Sequence, residues 1–517
     1  MNEEIEEYYE ELYRLCIDEN QPLERRYRQL RESLERVVRE KIQGNSLQTT
    51  DLAARINYVA TQYGLDLKEQ NQLHTFRLTS NDILNHRKSP VKEEFLRDLR
   101  AVAYAYRKMF AQDIPLKLFS VLPKQEIASS GKKEKMEYIR RIRVCFDYAD
   151  DTYLYVHPVD VIADEPIRVV YNKPGINHEF EETIKELWRY AQLNLLDVSV
   201  DRDGIYTPSF IVLEPDYLID ISSLAECYKD YGSHPANYFL SRLVPIDNAR
   251  PLLLGNIANL FLDEWIHAGE EEPDYIDCMK KAFRQYPIEL AACAELRDPS
   301  KEKEFAKDCR MHFEHIRDVV QHTFLEPGYN LDKKEAVLEP SYICEALGIQ
   351  GRLDYMQRDM SSFIEMKSGK ADEFSMQGKV EPKENNKVQM LLYMAVLEYS
   401  MGQDRRRMHP YLLYTRYPLL YPARASWAQV RRVINLRNRI VAAEYGVQFH
   451  NHPDFTRNLL AQINPEVVNE RKLSGRFWEQ YLKPSISRFR EKLSALEPLE
   501  QAYFYTCLLY TSPSPRD

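Results

Sequence analysis

With 517 residues the chain has room for roughly two to four domains, at about 100–200 residues each, and its cores need no disulfide or metal staple. Its 70 basic and 80 acidic side chains leave a net charge of −10, which excludes a uniformly basic nucleic-acid binder but permits a local cationic groove. A hydrophobic content of 44% with 29% charged residues excludes a disordered chain and predicts a folded globular one.

Only 16 glycines occur, and neither GxxxxGK[ST] nor GxGxxG is among their contexts, so no phosphate loop or dinucleotide fingerprint is expected. The N-terminus, MNEEIEEYYEEL, is acidic where a secretory signal is basic and then apolar, and no run of about 18 apolar residues follows. A cytoplasmic protein without membrane contact is the expectation. The cysteines (Cys16, Cys145, Cys227, Cys278, Cys293, Cys309, Cys344 and Cys507) never form a CxxC pair, which suits reduced, buried thiols better than a disulfide frame or a zinc knuckle.

In chain order, residues 1–112 predict helices, with Leu23, Tyr27, Leu30, Leu34, Val37 and Val38 at three-and-four spacing. Arg25, Arg26, Arg28, Arg31, Arg36, Arg39 and Lys41 form a basic face there, but Glu24, Glu32, Glu35 and Glu40 interleave it, so a solvated helix face is the expected reading. Residues 113–135 lose periodicity and read as a linker. Short β-rich runs split by DD, KPG and DRDG turns follow over 136–232, predicting a small β-barrel or an α+β module with a helical insert near HEFEETIKELWRYAQ. From 233 to 495 helices, strands and helices alternate, predicting an α/β domain whose central mixed sheet is flanked by helices.

The chemistry concentrates in GIQGRLDYM (348–356), FIEMKSGK (363–370) and QMLLY (389–393). On a strand, Glu365 and Lys367 share one face while Ile364 and Met366 face the other and enter the core. Asp354, on the preceding strand, can come beside Glu365 across a short turn. Two close carboxylates repel unless a cation sits between them, and hard oxygen donors favour magnesium or manganese over zinc. An ammonium beside them, Lys367, suits orientation of a water or neutralisation of a phosphate. Gln389 and Tyr393 stand four apart on one helix face, where an amide and a phenol could hold the lysine or a nucleotide.

The ordered set Asp354, Glu365-x-Lys367 and Gln389-x-x-x-Tyr393, with GxxG before the aspartate and SGK from the lysine's neighbour onward, resembles the PD-(D/E)xK nuclease superfamily, RecB-like branch. It is similar above all to the nuclease domain of flap-processing nuclease-helicases and of CRISPR adaptation nucleases, over about residues 235–490. The resemblance implies a divalent-metal-dependent DNA nuclease acting on single strands or flaps. It implies magnesium or manganese on Asp354, Glu365 and the Met366 carbonyl, Lys367 assisting cleavage, and Gln389 and Tyr393 completing the site. Two departures qualify it. The upstream helix of such proteins often carries a metal-binding histidine in a GxxxH context, and Gly255-Asn-Ile-Ala-Asn259 offers the weaker oxygen of Asn259. Many relatives hold an iron-sulfur cluster on one upstream and three downstream cysteines, and no credible cysteine follows Cys344, so no cluster is expected.

His312 and His315, three apart on a helix, are expected to meet solvent or carboxylates rather than a metal, and His267 is expected to be structural. Lys379, Lys383 and Lys387 either guide a strand or line a solvated loop; Arg431, Arg432, Arg437 and Arg439 are the better candidates for DNA backbone contact. Residues 507–517, CLLYTSPSPRD, look like a translated sequencing adapter, so 496–506 would begin a truncated segment, and a helicase domain would follow in the native frame. Two other functions stay open: a non-catalytic fragment that clamps nucleic acid, and a restriction-type endonuclease on duplex DNA.

Overall fold

The computed structural model describes residues 2–18, 20–42, 52–123, 138–159, 165–201, 203–243, 250–374, 379–424, 426–450 and 453–508. The suspected adapter from residue 509 onward lies outside them. The chain divides into two compact units, 1–214 and 215–517.

The first unit opens with helices α1 (Asn2–Ile17), α2 (Leu23–Ile42), α3 (Leu52–Gln62), α4 (Leu67–Leu84) and α5 (Lys92–Phe110). Tyr27, Leu34, Phe76, Phe95, Leu99 and Tyr106 converge in their shared core. The basic face of α2 is largely solvated, with Arg25, Arg28, Arg36 and Arg39 exposed; Arg26 is buried and donates to the Leu15 carbonyl at 2.8 Å, while Arg31 and Arg36 pair with Glu35 and Glu11 at 2.8 and 3.1 Å.

Strands β1 (Tyr138–Ala149), β2 (Tyr153–Pro158), β3 (Ile167–Val170), β4 (Gln192–Val200), β5 (Ile205–Thr207) and β6 (Phe210–Leu213) follow, with a short helix α6 (Glu181–Lys185) between β3 and β4. The order β1-β2-β3-β5-β4 closes because the long β1 pairs with both β2 and β4, making a barrel filled by Val144, Leu154, Val156, Val169, Leu193 and Leu195. Helices and barrel belong to one unit. The Arg77 guanidinium donates to the Val159 carbonyl, and Tyr58 meets Tyr190 edge-on with centroids 6.1 Å apart.

The second unit is mixed α/β, as the alternation of patterns implied. Its elements are β7 (Ile219–Asp220), α7 (Ile221–Ala225), α8 (Arg250–His267), α9 (Pro299–Gln321), β8 (Ala336–Leu338), β9 (Ser341–Cys344), β10 (Ile349–Arg352), β11 (Tyr355–Gln357), β12 (Ser362–Lys367), α10 (Glu384–Met401), β15 (His409–Tyr414), β16 (Leu419–Pro422) and α11 (Trp427–His450), with the ribbon β13 (Asp372–Phe374) and β14 (Lys379–Glu381) between β12 and α10. The main sheet runs β16-β15-β12-β11-β8 and is antiparallel except where β12 meets β15. Ile364 and Met366 turn to one face and join a core with Ile257, Phe261 and Trp265 of α8 and Phe313 and Ile316 of α9. The other face receives α10, whose Asn386 amide donates to the Tyr414 hydroxyl at 2.6 Å. The seven cysteines described are all buried, free thiols. Among the described residues no helix is long and apolar enough to cross a membrane.

The division at 214/215 moves residues 215–232 out of the barrel's unit. The cause is long-range pairing: β7 lies parallel beside β10, with Ile219 opposite Ile349 and Asp220 opposite Gln350.

His312 corrects the expectation of a surface histidine. It is fully buried, and burial, offset in part by the Thr415 backbone, lowers its pKa to about 4. The unfolded chain therefore takes up a proton near pH 6.5 that the folded unit refuses until about 4, so stability present above pH 6.5 is lost as pH falls. The expected loss is about 2 kcal/mol between pH 7 and 5. His312→Leu is expected to flatten that acid limb in urea titrations followed by tryptophan fluorescence, and an unchanged slope would contradict the assignment.

Candidate active site

The β11–β12 hairpin pairs Tyr355 with Ile364 and Met356 with Phe363, which sets Asp354, at the entrance to β11, beside the end of β12. Asp354 is fixed there by the backbone: its Oδ2 accepts the Met366 N–H at 2.7 Å. Glu365 is only 4% exposed, and its Oε1 accepts from Lys367 Nζ at 2.9 Å and from Gln389 Nε2 at 2.6 Å. Its Oε2 is buried with no hydrogen-bond partner. Strand periodicity alone brings Glu365 and Lys367 to one face, and the closed ion pair is what that face holds.

Gln389 and Tyr393 do project from one side of α10, but their tasks differ from those anticipated. The Gln389 amide grips the carboxylate, not the lysine, and also reaches Ser222 Oγ at 3.3 Å. Tyr393 is 1% exposed and donates its hydroxyl to the Arg352 carbonyl at 2.5 Å, so it braces the strand leading to Asp354 and is not free for a nucleotide. Both glycines of the GxxG have physical reasons. Gly348 has φ +64°, and a Cβ there would strike the Arg437 guanidinium; a Cβ on Gly351 would stand 3.0 Å from Ile221 and 3.1 Å from the Tyr393 hydroxyl. Gln389→Ala should lower any turnover at this site about ten- to a hundredfold, because a lost hydrogen bond to a charged group is worth about 1.5–3 kcal/mol and Lys367 keeps its hold on Glu365. A loss as deep as that of Asp354→Ala in single-turnover cleavage would show a more direct role.

The sequence reading missed the segment that closes the site from residue 219 onward. Asp220 caps α7 by accepting from Ser222 N and Ser223 N at 2.8 and 3.2 Å. One turn apart on α7 and the turn after it, Ser222 meets Gln389 and Glu226 accepts from Asn385 at 3.1 Å. No local signal marks these residues; they arrive through β7–β10 pairing.

Asn259 lies on α8 one turn after Gly255 and one turn before Asp263. Helix α8 packs on the Ile364 face, and its contact with the site loop is at Gly255, where a Cβ would lie 3.3 Å from Ser368 Oγ. No hydrogen bond ties Asn259 to Asp354 or Glu365. One turn further, Asp263 is pushed up to about 6 by burial and by the charges of Glu339 and Asp354, so this unpredicted carboxylate is the acid of α8 that feels the site. Its position four residues after Asn259 was a usable helical signal. His267 bonds the Asp263 carbonyl at 2.9 Å, and His315 that of Thr415 at 3.0 Å; both are structural.

The basic candidates separate. Arg437 is fully buried and donates to the carbonyls of Gly348 and Tyr217, at 3.1 and 2.5 Å, and Arg431 is also buried, so neither meets a DNA backbone; Arg432 is exposed. Lys387 stands 3.7 Å from Glu381, Lys383 is exposed at the start of α10, and the side chain of Lys379 lies outside what is described.

Burial, then Asp354, pushes the Glu365 carboxyl up to about 8, and burial likewise raises Asp354. Burial alone would depress the Lys367 ammonium, but Glu365 and Asp354 outweigh it and hold the pKa above the usual lysine value. Among the described residues no three His, Cys, Asp or Glu side chains are gathered closely enough to hold a metal ion. The donors that fit one are two carboxylates, one with an orphaned buried oxygen, plus backbone carbonyl; hard oxygens of this kind suit magnesium or manganese. No protein-family model and no curated protein matches this chain.

Proposed function

We propose that this chain is a divalent-metal-dependent DNA nuclease of the PD-(D/E)xK type, hydrolysing phosphodiester bonds of single strands or flaps. One observation carries the reading: a buried glutamate held on one oxygen by a lysine and a glutamine, its other oxygen unpartnered, beside an aspartate anchored on the same strand's backbone. Leaving a carboxylate oxygen buried and bare costs stability that a fold bears where a cation completes it.

Asp354 and Glu365 would hold the ion, with the Met366 carbonyl as a further donor. Asn259, on α8 between Gly255 and Asp263, would be the candidate for one more oxygen. A bound magnesium or manganese would supply Lewis-acid stabilisation of charge on the phosphate. Lys367, 27% exposed at its side chain, brings its ammonium to the open end of this pair, where it can neutralise a phosphate oxygen or orient a water. Gln389 keeps Glu365 aimed, and Tyr393 keeps the Asp354 strand in place.

The deciding assay offers labelled single-stranded, flap and duplex DNA with and without magnesium. Metal-dependent cleavage of single strands or flaps is expected. Binding without cleavage would leave a non-catalytic clamp, and sequence-specific duplex cleavage a restriction-type enzyme.

A further inference from the structure

The barrel carries a built aromatic row that the nuclease reading does not use. Along β2, Leu154 and Val156 fill the interior while Tyr153 and Tyr155 turn outward; on β3, Ile167 and Val169 turn inward and Arg168 outward. On β1 strict alternation after Val144 and Phe146 would send Tyr148 inside. A bulge between Phe146 and Tyr148 adds one residue and returns Tyr148 to the outer face. Register then aligns Tyr148, Tyr155 and Arg168 as direct neighbours across three strands. Tyr148 and Tyr155 stack with centroids 4.3 Å apart and planes 12° apart; Tyr148 is still 50% exposed, and Arg168 lies 5.8 Å from the Tyr153 ring centroid.

The strand order β1-β2-β3-β5-β4-β1, with β3 and β5 parallel and α6 between β3 and β4, is that of the OB barrel, whose β2–β3 face is a strand-binding surface in many unrelated proteins. Topology alone assigns nothing. The charges decide. Asp147 is spent on Arg189 at 2.9 Å and His157 at 3.5 Å, and Asp150 on the Thr152 and Tyr153 N–H groups and the Tyr155 hydroxyl. Among the described residues neither Arg168 nor Lys173 has a carboxylate partner; Arg168 donates only to the Asp203 carbonyl at 3.2 Å. An exposed π-face beside a cation with no carboxylate partner, Arg168, fits a base and its phosphate.

We infer that the outer β1–β2–β3 face of the barrel binds single-stranded nucleic acid, a base stacking on Tyr148 and Arg168 meeting a phosphate. This site is independent of the cleavage chemistry.

The test uses the full chain in EDTA, a fluorescein-labelled oligo-dT in anisotropy titrations, and 5-iododeoxyuridine cross-linking with peptide mapping. Tyr148→Ala should weaken binding about 5- to 100-fold, Tyr148→Phe should bind like wild type, and Arg168→Ala should shallow the salt dependence by about one phosphate contact. Cross-links should map to Tyr148 or Tyr155. Oligo-dT binding that is absent, or unchanged in the Tyr148→Ala/Arg168→Ala double variant, or cross-linked only beyond residue 214, would overturn the inference. So would a face that takes a cationic peptide, displaced by these substitutions, and not DNA. Loss of cleavage in Glu365→Ala with oligo-dT binding kept would leave it standing, which separates its failure from that of the nuclease assignment.

Discussion

Glu365→Ala and Lys367→Ala are each expected to lower DNA cleavage by about a hundred- to a thousandfold while leaving the second unit folded. The rate effect follows from the role of charge in a desolvated site: losing one group that stabilises developing charge costs about 3–4 kcal/mol of barrier. The tolerance of the fold follows from the local geometry. Removing Glu365 removes a carboxylate whose burial is uncompensated on one oxygen, and Gln389 still has Ser222 within reach. Lys367, partly exposed, is left with solvent and the charges of Asp354 and Glu226. Removing Lys367 leaves Glu365 with the Gln389 amide and a pKa already raised toward neutrality. Single-turnover kinetics with circular dichroism checks both halves. Near-normal turnover in either variant would show that the site is misassigned.

Removal of divalent metal is the second large effect. Cleavage should cease in excess EDTA and return with magnesium or manganese, and calcium should restore it poorly because its larger, looser shell positions water badly for in-line attack. The same ion should stabilise the folded state without any turnover. At a hundred times its dissociation constant, a ligand of the native state alone contributes about 2.7 kcal/mol, so manganese should raise the melting temperature of wild type but not of a protein carrying both Asp354→Ala and Glu365→Ala. Undiminished cleavage in EDTA would falsify the metal-dependent reading. A manganese-induced shift equal in the double variant would move the ion elsewhere.

The placement of the candidate site residues was legible in sequence because it rests on local periods. Two-residue alternation is enough to set Glu365 and Lys367 on one face of β12, with Ile364 and Met366 in the core, and a four-residue spacing is enough to align Gln389 with Tyr393 on α10. The helical start and the mixed α/β character of the second unit follow from the same patterns. Partners at long range do not repeat with any local period, so only the tertiary structure decided them. Pairing of β7 with β10 across about 130 residues brings Ser222 to Gln389, splits the chain at 214 rather than 232, and sets the approach that Gly351 must accommodate. Packing buried Arg437 against Gly348 and turned His312 inward, although their neighbours in sequence suggest a surface. Alternation likewise misplaces Tyr148, since one bulged residue reverses every side chain beyond it.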